Sequence, residues 1–398
     1  MHLDWIDTRK MAEQMSRIVV ISDYCTAVPP EPVDEGWNGQ WQTVLRPGAV
    51  QVTGGYLERL PLAAVAQGWV DHAEIWDFAG RDGQSDAALG RWAGVSDPTR
   101  PGLIRRRFRA DAHPAPYGSA EALAHIAALG APEILCVWGI GVDASLLQAC
   151  AASFKIYNSI DADPLRIPDE VARHFDLFLT GAEWQSDAIR ARLPDARTLV
   201  LPIGPDFASG ETFFPTSAPK DRDVVYVACA QPYKRHDILF DALDRYPRTS
   251  ALLVIGYGEL ADQFRAEVAA RGLDVEIIGP PGVSHDEVNR QINRAKVGLV
   301  CGEHDGAPAI LTEYMLAGLP VLANAQLTCG LQYITPDTGM AALPGDHFAN
   351  TMQTLISSHA DYNARDAALD RWSWPRSIRT LGEAIADARH GRSGEIDE

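Results

Sequence analysis

The chain has 398 residues, 46% hydrophobic and 22% charged, which is ordinary globular material and enough for two cores of roughly 150 to 200 residues each. Its formal net charge of -18 would repel a polyanion and argues against a nucleic-acid partner. No run approaches the roughly 20 apolar residues of a membrane span, and the start, MHLDWIDTRKMAEQ, lacks the basic-then-apolar order of a secretion signal, so a cytoplasmic protein is expected.

The six cysteines (Cys25, Cys136, Cys150, Cys229, Cys301, Cys329) are scattered, with no CxxC pair and no histidine cluster at metal spacing. They read as reduced, mostly buried thiols, and no metal site is expected.

In chain order, residues 17–22 (RIVVIS) form a β-branched apolar run that suits a buried parallel strand. Residues 23–50 are rich in Pro, Gly and Trp, too irregular for a helix and too long for a simple connection. Trp37 and Trp41 in this loop suit either stacking on a sugar or packing in a homodimer. Gly54 and Gly55 then precede a helix over 57–66, with Gly68 as its stop, and a strand over 73–78. Arg105-Arg-Arg-Phe-Arg109 is the densest basic run. Its plain reading is a solvated surface, and its sharper one an anchor for a phosphate or carboxylate on a substrate.

The alternation continues with helix 120–129, strand 133–137, helix 144–152, strands 154–160 and 177–180, helix 183–193 and strand 198–202. Periodicity is lost over 204–223, where Gly, Ser, Pro and Thr dominate, and a linker is placed there. The pattern restarts with strand 224–229, helix 235–246, strand 251–256, helix 260–271, strand 275–279, helix 286–295, strand 297–301, helix 309–317 and strand 320–324. Strands alternating with such helices imply parallel sheets covered on both faces. The expected fold class is therefore α/β, with two successive Rossmann-like domains over 1–212 and 213–374, a C-terminal helix crossing back and an acidic tail over 375–398. Substrates are expected in a cleft between the domains.

The most informative stretch is residues 305–322, DGAPAILTEYMLAGLPVL. Asp305 and Gly306 follow a strand, Pro308 stands where a first helical turn tolerates it, and Gly318-Leu-Pro320 ends the helix. The start of such a helix presents free N–H groups and a partial positive charge, which suits a diphosphate. Glu313, about one and a half turns further in, is placed to accept hydrogen bonds from a ribose diol. A capped helix with an incidental Glu is the plain alternative.

This stretch resembles the E-x7-E motif of the retaining, GT-B-fold glycosyltransferase family 4, with Asp305 at the first acid and Glu313 at the second. Thr53-Gly54-Gly55-Tyr-Leu-Glu-Arg59 resembles that family's G-G-x-E-R loop with one extra residue. Leu201-Pro-Ile-Gly-Pro-Asp206 is similar to its I-P-N-G-V-D, and Trp372-Ser-Trp374 to the F-S-W before a last helix that crosses back. The resemblance implies a nucleotide-sugar donor, UDP- or GDP-linked, in the second domain, and no metal or resident cofactor. Glu313 would hold the ribose, Asp305 would lie near the transferred sugar, and the backbone of Gly306, Ala307, Pro308, Ala309, Ile310 and Leu311 would line the phosphates. Lys234 would neutralise the leaving diphosphate, and Gly54, Gly55, Gly256 and Pro281 complete the donor side.

The chain departs from the family in two places. The family's Arg a few residues before Lys234 is absent, with Ala228 or Cys229 in its place and Arg235 as a potential substitute. The family's His after strand 133–137 is replaced by Trp138-Gly139, leaving Asp161 as the polar candidate facing a hexose. Asp161-Ala-Asp163 also spells the D-x-D of the GT-A fold, but a complete second Rossmann-like unit carrying the donor signals speaks against that fold. Glu183-Trp184 reads as a capped, packed helix start.

The implied activity is retaining transfer of a sugar to an acceptor hydroxyl, with Asp305, Lys234 and Asp161 in the catalytic set. A catalytically decayed binding or scaffolding subunit and a sugar-nucleotide 2-epimerase are the alternatives. A sugar phosphorylase would carry a cofactor lysine in a longer chain. The acceptor is not identified, and the acidic balance favours a soluble one over a membrane lipid.

Overall fold

A computed structural model of the chain describes residues 16–21, 50–52, 54–79, 95–96, 102–111 and 116–393. Cys25, Trp37, Trp41 and Thr53 lie outside the described residues. The chain divides into two compact units, Met1–Ile203 with Ile378–Glu398, and Gly204–Ser377.

The first unit is built on strands β1 (Arg17–Ile21), β2 (His72–Ala79), β3 (Val95–Ser96), β4 (Leu103–Arg109), β5 (Ile134–Trp138), β6 (Phe154–Asn158), β7 (Leu177–Thr180) and β8 (Thr198–Val200). They lie in the order β3-β4-β2-β1-β5-β6-β7-β8, parallel except for β3 against β4. β1, buried along its whole length, sits between β2 and β5, with Ile21 opposite both Trp76 and Val137. Helices pack on the sheet, as a largely parallel arrangement requires.

The arginine run expected as a solvated surface is instead strand β4. Ile104, Arg106 and Phe108 share one face by the period of two, and all three are buried. Arg106 is admitted to the interior by Glu74 of β2, which accepts from its Nε at 2.7 Å and its Nη2 at 3.0 Å, and from Trp76 Nε1 at 2.7 Å. His72 Nε2 lies 3.2 Å from the same carboxylate. Arg105 pairs with Glu58, so the run's charges are largely neutralised within the unit. Burial by itself would raise the Glu74 carboxyl, but Arg106 and His72 outweigh it and hold the group well below the usual range.

The second unit contains β9 (Arg222–Val227), β10 (Ala251–Val254), β11 (Val275–Ile278), β12 (Ala295–Val300), β13 (Val321–Asn324) and β14 (Gly339–Ala342). The order β11-β10-β9-β12-β13-β14 is all parallel, the doubly wound arrangement with its reversal between β9 and β12. β14 and helices Asp346–Ser358 and Ala364–Arg371 add to the elements expected from sequence. The described cysteines, Cys136, Cys150, Cys229, Cys301 and Cys329, are buried and form no disulfide with one another. No helix among the described residues is long and apolar enough to cross a membrane.

The first half of the stretch expected as a linker is packed, whereas most of residues 214–221 are exposed. Ile203–Asp206 is a short helix, Phe207 is fully buried, and Ala208 and Phe213 belong to the core of the second unit. The apolar residues are too far apart to show a period, which is why the stretch reads as a loop in sequence. Within this unit the two segments that connect to the other lie side by side. Ser377 Oγ donates to Asp206 O at 2.6 Å, and Trp374 N to Ala208 O at 3.1 Å. Helix Trp374–Ser393 thus starts in the second unit and continues in the first, where Ala388 O accepts from Arg197. Asp206 itself is buried, accepts a very short hydrogen bond from the Tyr333 hydroxyl, and has its carboxyl raised by burial to about 7.

Two outcomes are expected. Glu74→Gln leaves Arg106 and Arg17 in the interior without their carboxylate, so denaturant unfolding should show a loss of about 3–5 kcal/mol; an unchanged midpoint would show that the cluster is not sustaining the unit. Asp206 binds its proton more tightly folded than unfolded, so its contribution to stability should decline from about pH 4 to about pH 7 and level off above. Asp206→Asn cannot ionise, and its melting temperature relative to wild type should therefore rise between about pH 5 and about pH 8. A constant difference across that range would place the titration elsewhere.

Candidate functional site

In an open parallel sheet, the crevice outside the carboxyl ends of the strands, where the order reverses, is the natural ligand position. In the second unit this is the edge of β9 and β12, followed by residues 228–235 and 301–309. The first segment makes a tight turn, Pro232–Lys234, and then Arg235 at φ 50, the one non-glycine with positive φ among the described residues, before helix His236–Arg245. Tyr226 of β9 donates its hydroxyl to Lys234 O at 2.6 Å, and Glu303 N donates to Tyr233 O at 3.1 Å. Gly302 allows that approach, since a Cβ there would lie 3.2 Å from Tyr233 O.

The charges of the edge are paired. Lys234 Nζ makes a very short contact with Asp305 Oδ2, and Arg235 makes one with Glu303 Oε1. Arg235 also donates to Asp237 at 3.0 and 2.8 Å, and Asp237 first and then Glu303 hold the guanidinium above its usual pKa. Thr328 fixes the acidic segment by accepting from Asp305 N at 3.1 Å and donating to Glu303 O at 2.9 Å. Glu303 and Thr328 were not singled out in the sequence. Glu303-His-Asp305 does place two acids immediately after a strand, but nothing local marks Thr328.

His236, also unremarked in the sequence, is buried between the rings of Tyr226 and Phe264 at 4.9 and 4.4 Å. Burial, with Lys234 nearby, lowers it to about 4, so it is neutral at pH 7.

Glu313 lies in helix Ile310–Leu316 and is 8% exposed. The helix rests on β12 because Gly298 has no side chain: a Cβ there would come within 2.4 Å of the Tyr314 ring. The Tyr314 hydroxyl in turn accepts from Val227 N at 2.7 Å, joining the helix to the end of β9. Thr312 donates to Pro205 O at 2.7 Å, so the 201–206 motif, expected ahead of a linker, touches this helix. Ala307 N donates to Asp305 Oδ1 at 3.4 Å, and Ala307, Ala309 and Leu311 are buried. The turn from Gly306 to Ile310 therefore offers backbone rather than side chains. With seven residues instead of the expected nine over 309–317, the helix is two turns long and its dipole is correspondingly modest. Gly256, after β10, packs on Gly282 with a virtual Cβ contact of 3.9 Å, and Pro281, after β11, is exposed.

The remaining candidates belong to the first unit. Gly54, at φ 101, accepts from buried Arg59 Nε at 3.0 Å, and Gly55 starts helix Tyr56–Ala66. Asp161 follows β6 and pairs with Arg166 at 2.7 Å, while Asp163 Oδ1 accepts from Leu165 N at 3.3 Å, so each carboxylate of the D-x-D sequence has a local partner. Among the described residues there is no group of three or more side chains arranged to hold a metal ion. Trp138 is buried at the end of β5, edge-on to Tyr56 at 6.3 Å.

Asn158, opposite Trp138 on β6, and Ser159, just after it, are buried with no hydrogen-bond partner for the amide or the hydroxyl among the described residues. The sequence signal was only their position ahead of Asp161. Glu183-Trp184, expected as a capped and packed helix start, is neither. Trp184 is 43% exposed, Glu183 pairs with Arg190, and Gln185 closes the turn by accepting from Gly181 N at 2.7 Å.

Comparison with known proteins agrees with this architecture. Residues 210–367 match the family Glycosyl transferases group 1. No curated protein matches the chain. Among solved structures it is similar to sucrose-phosphate synthase from Thermosynechococcus elongatus, at 17% identity over 94% of this chain and 100% of that one, with a TM-score of 0.63. It is also similar to Anabaena HepE in complex with UDP and glucose (15% identity, 93% and 99% covered, TM-score 0.61). The lipopolysaccharide outer core galactosyltransferase WaaB is a third such structure (16%, 93% and 99%, 0.58). At these identities the likeness is one of fold. The chain has the GT-B fold of these structures, and the segment that matches the group 1 glycosyltransferase family lies in its second unit.

Proposed function

We propose that the protein transfers a sugar from a UDP- or GDP-linked donor to an acceptor hydroxyl with retention of the anomeric configuration. The observation that carries this reading is the Lys234–Asp305 pair at the point where the second sheet reverses, next to the helix that holds Glu313. A donor diphosphate at that edge takes Lys234 as its counter-ion. Asp305, released from the lysine, then accepts a hydroxyl of the sugar, and Glu313 accepts from the ribose.

In the reaction the bond between the anomeric carbon and the phosphate oxygen breaks as the acceptor oxygen bonds to the same face of the carbon. The acceptor proton passes to a phosphate oxygen of the departing diphosphate, so no separate strong base is required. Lys234 and the backbone from Gly306 to Leu311 oppose the negative charge that develops. Gly54, Gly55 and Asp161 are assigned to this reaction from the first unit, Asp161 toward a sugar hydroxyl. The reaction needs no metal in this reading, and a cytoplasmic setting fits a nucleotide-sugar supply.

One observation favours a second reading. Arg235 is engaged by both Asp237 and Glu303 and is a poor substitute for the family's absent arginine. A decayed site that binds a nucleotide without turnover would share this feature.

A mass-spectrometric donor screen with acceptor pools should yield a glycosylated product whose proton coupling constants match the donor's anomer. An inverted linkage would overturn the mechanism, and nucleotide binding without product would favour the decayed site. Lys234→Ala should cut turnover at least about tenfold with the fold intact. In calorimetry with the bare nucleoside diphosphate, Glu313→Gln should weaken binding, whereas Asp305→Asn should leave it unchanged or tighter because Lys234 is freed, and lower kcat instead. Equal losses in both would mean that the two acids act as one unit.

A further inference from the structure

The polar groups of the β9–β12 edge leave little net attraction for a diphosphate. Lys234 and Arg235 are matched by Asp305, Glu303 and Asp237, two cations against three carboxylates, all paired within the protein. In a chain of net charge -18, long-range attraction offers no help. A nucleotide that binds here draws much of its affinity from its uncharged part, and an aromatic surface stands at the same edge to receive it.

Tyr257 follows β10 and is 65% exposed, the most of any large hydrophobic residue described. Its backbone is nonetheless fixed. Tyr257 O accepts from Ala230 N at 2.7 Å, Ala230 O accepts from Leu260 N at 3.1 Å, and a Cβ on the next residue, Gly258, would lie 2.3 Å from Ala230 O. Its hydroxyl end lies against Cys229, whose sulfur is 3.4 Å from the Tyr233 hydroxyl. Tyr233 in turn has Lys234 Nζ 5.0 Å from its ring centroid. A chain of contacts therefore runs from the ammonium through Tyr233 and Cys229 to the open ring of Tyr257. Gly256, next to Tyr257 in the chain, packs on Gly282, and this pair presents no side chain beyond Cα.

We propose that Tyr257 is a nucleobase-binding residue, its ring forming the face on which the planar heterocycle of the nucleoside diphosphate stacks. The inference rests on the donor-site reading above. A ring carried on a fixed backbone loses little conformational freedom when a base covers it, so its contact area converts efficiently into affinity.

Calorimetry on the full chain with UDP, GDP and inorganic pyrophosphate tests it. Tyr257→Ala should weaken whichever nucleoside diphosphate the wild type binds by about tenfold or more and leave pyrophosphate binding unchanged. Tyr257→Phe should bind the nucleotide nearly as the wild type does, with thermal unfolding confirming that both variants are folded. Unchanged nucleotide affinity in Tyr257→Ala overturns the proposal while leaving the donor site standing. A loss for pyrophosphate as well, or equal losses in the Phe and Ala variants, overturns it by assigning the hydroxyl to the phosphates. A wild type that binds neither nucleotide removes the donor-site reading itself.

Discussion

The candidate site depends on how closely two loops approach at the carboxyl edge of the second sheet. One hydrogen bond, Glu303 N to Tyr233 O, and the missing side chain of Gly302 bring the turn after β9 against the segment after β12. Because of that approach Lys234 reaches Asp305 and Arg235 reaches Glu303. The helix bearing Glu313 obeys the same constraint from behind. It rests on Gly298, and through the Tyr314 hydroxyl it occupies an N–H at the end of β9. Parallel strands end with their next groups unpaired, and here side chains of neighbouring elements take up those groups and set the spacing.

Both units keep their charges internal. In the first, Arg106 is buried only because Glu74 meets it in bidentate geometry with Trp76 on the remaining lone pairs. Such an arrangement contributes little net stability but costs several kcal/mol when one partner is removed, so it specifies the β2–β4 pairing more than it strengthens it. At the edge of the second sheet the pairs are only partly exposed. An anion bound there would compete with carboxylates rather than with water, which favours selectivity over raw electrostatic pull.

The connecting segments are tied to the same machinery. Pro205 O accepts from Thr312 of helix Ile310–Leu316, Asp206 accepts from Tyr333 on its side chain and from Ser377 on its backbone, and Ala208 O accepts from Trp374. The ends of the second unit are thus continuous, through hydrogen bonds, with the helix that carries Glu313. A buried carboxyl with a pKa near neutrality at that junction makes its stability sensitive to pH in the working range.

The sequence by itself determined the two-unit α/β architecture, because β-branched runs alternating with periodic helices admit few other solutions, and the spacing of residues 305–313 singled out a candidate site. It determined most elements to within a few residues. It misread two stretches where local pattern and burial diverge. In β4, three arginines conceal a period of two that becomes evident only when Glu74, 32 residues away in the chain, neutralises the middle one. In residues 204–213, isolated Phe207, Ala208 and Phe213 carry no period, yet each finds a place in the interior.

Tertiary structure alone decided the partners of Lys234 and Arg235, the pinning role of Thr328, the isolation of His236 between two rings and the anchoring of the Tyr257 backbone on Ala230. The physical reason is the same in each case. A charge or hydroxyl in sequence carries its chemistry but not its neighbour, and in a doubly wound sheet the neighbours at the carboxyl edge come from strands that are adjacent in space and far apart in the chain.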